Sequence, residues 1–122
     1  MAIKYKPQTS KALTWDEIEK HYADLNENGW KQDELLKLIK HIKSSELCNR
    51  LFAYTSMDKL VISIYNPIEW NREALHIDFD SQNKNWNFNY FSKPNEKSEF
   101  EKKYKESIGI EKFDDFIGLI KW

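Results

Sequence analysis

Residues 74–91 read ALHIDFDSQNKNWNFNYF. Apolar and polar side chains alternate in both halves of this stretch, as they do in strands that bury one face. In the first half Leu75, Ile77 and Phe79 point one way, and the polar residues between them point the other. The polar run 81–85 separates the halves and indicates a turn. The stretch therefore predicts two antiparallel strands, at 74–80 and 86–91.

Two further segments with the same period precede this hairpin, at 50–56 and 60–65. Asn66-Pro67 interrupts the pattern, because proline has no backbone N–H to donate to a sheet. The four segments predict an antiparallel meander with one apolar face. The residues predicted to point inward are Leu51, Ala53, Leu60, Ile62, Ile64, Leu75, Ile77, Phe79, Trp86, Phe88 and Tyr90.

Helical patterns flank the meander on both sides. Thr14 and Glu17 form a capping-box motif that predicts the start of a first helix. Helical spacing of apolar residues predicts four helices, at about 15–28, 31–45, 96–107 and 111–120. The order α-α-β-β-β-β-α-α indicates an α+β fold, a four-stranded antiparallel meander with helices packed mainly on one face. We expect one domain over 1–122, a complete chain, with residues 1–12 as a flexible or loosely docked arm.

Composition excludes several classes of function. The 122 residues include 19 basic and 20 acidic side chains, and only Arg50 and Arg72 are arginine, so we expect no nucleic-acid partner. No stretch approaches the roughly 20 apolar residues of a membrane span, and no signal peptide is visible, so we expect no membrane partner. The single Cys48 fits a reducing compartment, and we expect a cytoplasmic protein.

The most suggestive set of chemical groups is His76, Asp78 and Asp80, which alternate on one side of the third predicted strand. A catalytic metal site generally needs three protein ligands in one place, and the sequence nominates no further ligand or base for this set. We therefore interpret the three side chains as polar residues on a solvated face. The sequence predicts no catalytic residue, no metal and no cofactor.

The second face of the meander is unusually aromatic for a solvated one, and large apolar patches are rarely left bare. Two interpretations remain open: a partner or ligand binds this face, or the chain covers it with its own arm (3–13) or the loop 66–73. The candidate binding residues are Tyr54, Tyr65, Trp70, His76, Asp78 and Phe91.

Three hypotheses for function follow from these observations. The leading one is a non-enzymatic binding module that recognises a protein partner through the aromatic face, and small immunity or inhibitor proteins offer an analogy of size. A second hypothesis is a small-ligand-binding domain or modest enzyme that uses His76 and Asp78 with a tyrosine. A third is a structural homodimer subunit.

Overall fold

The protein is described from a computed structural model, which covers residues 9–56, 59–69, 72–92 and 100–122. Three α-helices and seven strands in these ranges form an α+β fold, as the sequence predicts. The helices are α1 (Trp15–Glu27), α2 (Asp33–Lys43) and α3 (Gly109–Ile120). The strands are β1 (Thr9–Ser10), β2 (Phe52–Ser56), β3 (Lys59–Ser63), β4 (Ile68–Glu69), β5 (Ala74–Asp80), β6 (Asn85–Phe91) and β7 (Phe100–Lys105).

Five of the strands form one antiparallel sheet in the order β2-β3-β5-β6-β7. The long hairpin of β5 and β6 lies at its centre, with Ile77 opposite Phe88 and Phe79 opposite Trp86. This register puts the apolar residues of both strands on the same face, which confirms the pattern of 74–91.

The helices cover that apolar face. Thr14 caps α1 as predicted, since its Oγ1 accepts a hydrogen bond from the Glu17 backbone N–H and the Glu17 carboxylate accepts one from Thr14 N–H. The main core then joins three elements of the helical layer to the sheet, and most of its members are fully buried. It includes Ile18 and Tyr22 of α1, Leu35, Leu38, Ile39 and Ile42 of α2, Phe113, Phe116 and Ile117 of α3, and Leu60, Ile62, Leu75, Ile77, Trp86 and Phe88 of the sheet.

Three details differ from the prediction. The prediction of a helix at 96–107 is wrong for the part of this range that the structure describes, because residues 100–105 form β7 and pair with β6. The main sheet therefore has five strands rather than four. Ile64, predicted to point inward, is exposed because β3 ends at Ser63 and the chain bends before Pro67.

The described part of the predicted N-terminal arm has an ordered place in the fold. Thr9 and Ser10 in β1 pair with Glu69 and Ile68 in β4, so the arm and the loop before β5 form a second, two-stranded sheet. The Leu13 backbone N–H then donates a 2.9 Å hydrogen bond to the Ala53 carbonyl on the edge of β2 that faces away from β3.

Candidate functional site

We call the side of the five-stranded sheet that points away from the helices the outer face. Its side chains form rows across the strands, because the register joins neighbouring positions directly. Two rows that end on β7 hold three of the six predicted site residues, Tyr54, His76 and Asp78. The first row is Tyr54, Val61, His76, Asn89 and Glu101, and the second includes Asp78, Asn87 and Lys103.

One end of the outer face is covered by the chain itself. Val61, Ser63 and Ala74 lie on this face and are 2%, 0% and 9% exposed, although none of them belongs to the main core. Ile68 in β4 is also buried outside the main core. The burial of these residues answers part of the question that the sequence leaves open, because this end of the face is closed to a partner.

Aromatic side chains border the covered end. Tyr54 in β2 and Phe91 in β6 are half-buried, and neither packs against the main core. The imidazole of His76 lies between them in the sheet, with its ring centre 4.8 Å from that of Phe91. The three rings therefore offer a partly exposed apolar surface that the core does not use.

A polar area made of three parallel columns occupies the remainder of the outer face. β5 contributes Asp78 and Asp80, and β7 contributes Lys103 and Lys105. Between them β6 contributes three amides, Asn85, Asn87 and Asn89. We call the two rows that run from an acidic group through an amide to a lysine the charge ladder: Asp80, Asn85 and Lys105 in one row, and Asp78, Asn87 and Lys103 in the next. The row of Asn89 differs, because it runs from His76 to Glu101.

Two groups of this face have shifted pKa values. Burial lowers the pKa of His76, and the nearby positive charge of Lys59 lowers it further, so the imidazole is held neutral. The Asn83 side-chain and backbone donors lower the pKa of Asp80, whose carboxylate caps the β5–β6 turn. Neither shift creates an acid and a base in the same place, so the pattern typical of general acid–base catalysis does not arise from these two groups.

Tyr65 has a different role from the other predicted residues, because it closes the loop between β3 and β5. Its hydroxyl donates a hydrogen bond to the Glu73 carboxylate, which raises the pKa of the phenol. The Arg72 guanidinium lies 5.1 Å from the ring centre and also pairs with Glu69 at 3.0 Å. These contacts hold the two ends of the loop together.

The structure thus brings Tyr54, His76, Asp78 and Phe91 onto one face and places Tyr65 in the loop beside it. Trp70, the remaining predicted residue, lies outside the described residues. The prediction missed Glu101, Lys103 and Lys105, because they fall within the helix predicted at 96–107. The available signal for a strand there was that Phe100 and Tyr104, four residues apart, also fall on one face of a strand.

A cleft that shares Asn85 and Lys105 with the charge ladder lies at the end of the molecule near the β5–β6 turn. It is open, measures about 700 Å³ and is lined by nine residues: Glu34, Lys37, Asn83, Lys84, Asn85, Lys105, Glu106, Ser107 and Ile110. Its lysines and glutamates are intermixed, and Lys37 is already paired with Glu34 at 2.9 Å. This mixture selects no particular charge in a ligand.

The described residues include neither a cluster of metal ligands nor a membrane-spanning helix. No group of three or more His, Cys, Asp or Glu side chains in 9–56, 59–69, 72–92 and 100–122 is arranged to hold a metal ion. Within the same ranges no helix is long and apolar enough to cross a membrane.

The fold and this face define a small α+β domain with an antiparallel sheet that is helix-covered on one side and only partly covered on the other. Comparison with protein-family models, with curated proteins and with solved structures found no match to the chain.

Proposed function

We propose that this protein is a non-enzymatic binding module that recognises another protein through the open part of its outer face. The observation that carries the proposal is the position of Tyr54, His76 and Phe91, which are only half-buried and lie outside the main core. Aromatic side chains of this kind dominate the binding energy of protein interfaces.

The surroundings of these rings also support a protein partner over a small ligand. A small molecule generally needs a concave site that buries most of its surface, whereas a sheet face offers a broad and nearly flat one. The charge ladder continues the apolar patch with amides and charged groups, as the polar rim of an interface does. Small inhibitor and immunity proteins, which each mask one target, are similar in size, and this proposal includes such a role by analogy.

The test compares the proteins that bind two variants in native host lysate. Tyr54→Ser removes an aromatic group from the outer face, and Leu119→Ser is the matched control because Leu119 is 73% exposed on α3. We expect the wild type and Leu119→Ser to capture the same protein and Tyr54→Ser to lose it.

The unfolding of both variants in urea distinguishes binding from packing. The proposal requires that Tyr54→Ser keeps the wild-type fold while losing the partner. If Tyr54→Ser is strongly destabilised and captures the same proteins as the wild type, Tyr54 is a packing residue and the proposal is wrong.

A further inference from the structure

We propose that the charge ladder binds the charge ladder of a second copy of the chain. This inference rests on the proposed function, because it names a partner for the same face. The two sheets face each other across a two-fold axis that runs parallel to β6. In this arrangement Asp78 of each copy meets Lys103 of the other, and Asp80 meets Lys105.

The order of the columns is what makes the face complementary to itself. Rotation about an axis along β6 exchanges left and right but keeps each residue at its own height along the strands. The acidic column on β5 therefore falls on the basic column of the second copy's β7, row by row. The amide column lies on the axis and meets its own copy, so the contact is isologous and closes as a dimer.

The lysines of the ladder form no ion pair with the acidic column of their own chain, although the charge of Lys103 contributes to the lowered pKa of Asp80. β5 and β7 are separated by β6, which puts the two charged columns roughly 10 Å apart at ordinary strand spacing, too far for an ion pair. Lys103 and Lys105 are exposed, and neither forms a salt bridge with any residue of the described ranges. Their charges are available to a second molecule.

The size of the ladder sets the strength of the dimer. Three strands and two rows cover roughly 200 Å² at ordinary strand dimensions. A stable interface usually buries about 800 Å² on each partner, so the dimer is weak and forms at high protein concentration. Because charges hold it together, salt weakens it.

A pair of charge reversals tests the geometry in purified protein. Asp78→Lys places a lysine opposite Lys103, and Lys103→Asp places two aspartates opposite each other, so each variant alone repels its own copy. A dimer of one Asp78→Lys copy and one Lys103→Asp copy has two such contacts. One contact joins the two unmodified residues and the other joins the two substituted residues, so each pairs a lysine with an aspartate. Lys102→Asp is the control, because Lys102 lies on the same strand but on the helix side, opposite Phe88.

Analytical ultracentrifugation at about 10 mM salt, where the Debye length is about 30 Å, gives the dissociation constants. We expect each single variant to dimerise on the order of tenfold more weakly than the wild type, since two contacts are reversed in each dimer. We expect an equimolar mixture to regain wild-type affinity and Lys102→Asp to keep it. A monomeric wild type, or a mixture no tighter than its components, overturns the proposal.

A second measurement does not depend on the charge variants folding. Asn87→Cys in a Cys48→Ser background places one thiol on the two-fold axis, and a bis-maleimide linker of about 10 Å matches the spacing of packed sheets. We expect covalent dimers from this variant and none from Glu111→Cys, whose thiol would lie on α3. Equal yields from the two variants overturn the proposal.

The two proposals fail in different ways. If the purified chain stays monomeric while Tyr54→Ser loses a protein from lysate, the partner of the outer face is a different protein and only the dimer is wrong. If the dimer forms and Tyr54→Ser captures what the wild type captures, only the proposal of a different protein target is wrong.

Discussion

Gly109, the first residue of α3, is the glycine whose surroundings leave least room for a side chain. A Cβ atom there would lie 2.1 Å from Nε1 of Trp86 and 2.3 Å from two carbons of the same indole. The backbone of Gly109 has ordinary helical angles, with φ −61° and ψ −43°, so alanine is excluded by space and not by conformation. We therefore expect Gly109→Ala to be strongly destabilising.

The expected loss of stability follows from the contacts that Trp86 would lose. Trp86 is fully buried, contacts the rings of Phe79 and Phe88 edge to face, and donates a 3.1 Å hydrogen bond from Nε1 to the Glu106 carbonyl. Forcing an extra methyl group into a packed core costs about 1–3 kcal/mol, and leaving the buried N–H without its acceptor costs about 1–3 kcal/mol more. Alanine returns up to about 1 kcal/mol through its higher helix propensity. We expect a net loss of about 1–6 kcal/mol in the free energy of unfolding.

Gly118 provides the matched control, because it lies in the same helix and a Cβ atom there meets nothing within 4 Å. Urea unfolding followed by tryptophan fluorescence measures both variants. Gly118→Ala is expected to be neutral or stabilised by up to about 1 kcal/mol. Equal stability of the two variants would show that Trp86 does not occupy the position described, and the reasoning would be refuted.

Three further predictions concern other parts of the fold. Thr14→Ala is expected to lower the free energy of unfolding by about 1 kcal/mol in urea titrations, whereas Thr14→Ser keeps the cap and the stability. Burial holds His76 neutral in the folded state, so the unfolded state binds a proton at this imidazole more readily. As pH falls below about 6.5, the free energy of unfolding should therefore decrease more in the wild type than in His76→Gln. Equal decreases in the two proteins would contradict this prediction. Lys102 places a charge on the core side of the edge strand β7, and such a charge blocks pairing with another strand. Light scattering should therefore show that Lys102→Val associates through the edge of β7 and that Lys102→Arg does not. A monomeric Lys102→Val would contradict this prediction.

The centre of the fold could be predicted from sequence because its local signals agree with its packing. The alternation in 74–91 places the β5–β6 hairpin correctly, and the capping box at Thr14 marks the start of α1. In both places the residues that form the element also supply its buried contacts.

The strand at 100–105 could not be predicted from sequence, because the local pattern of this segment fits two structures. Phe100 and Tyr104 are four residues apart, which suits one face of a helix, yet both also fall on one face of a strand. The charged residues between them give no strong strand propensity. Hydrogen bonding to the edge of β6 decides the outcome, and that is a tertiary contact that no local window contains.

The outer face was predictable only in part for a similar reason. Alternation correctly placed His76 and Asp78 on the side away from the helices. It gave no sign that Val61 would be buried there, because this depends on how distant parts of the chain return to the sheet. The lysine column of the charge ladder was missed together with β7.

The pairing of β1 with β4 has a consequence for the order in which the chain folds. Strands that are neighbours in the five-stranded sheet are also consecutive along the chain, except that the short β4 lies between β3 and β5. Each hairpin therefore closes a short loop at little entropic cost. The contact between Thr9 and Glu69 instead closes a loop that contains both α1 and α2. We expect this contact to form after the folding transition state, so that changes in β1 mainly speed unfolding and leave the folding rate unchanged.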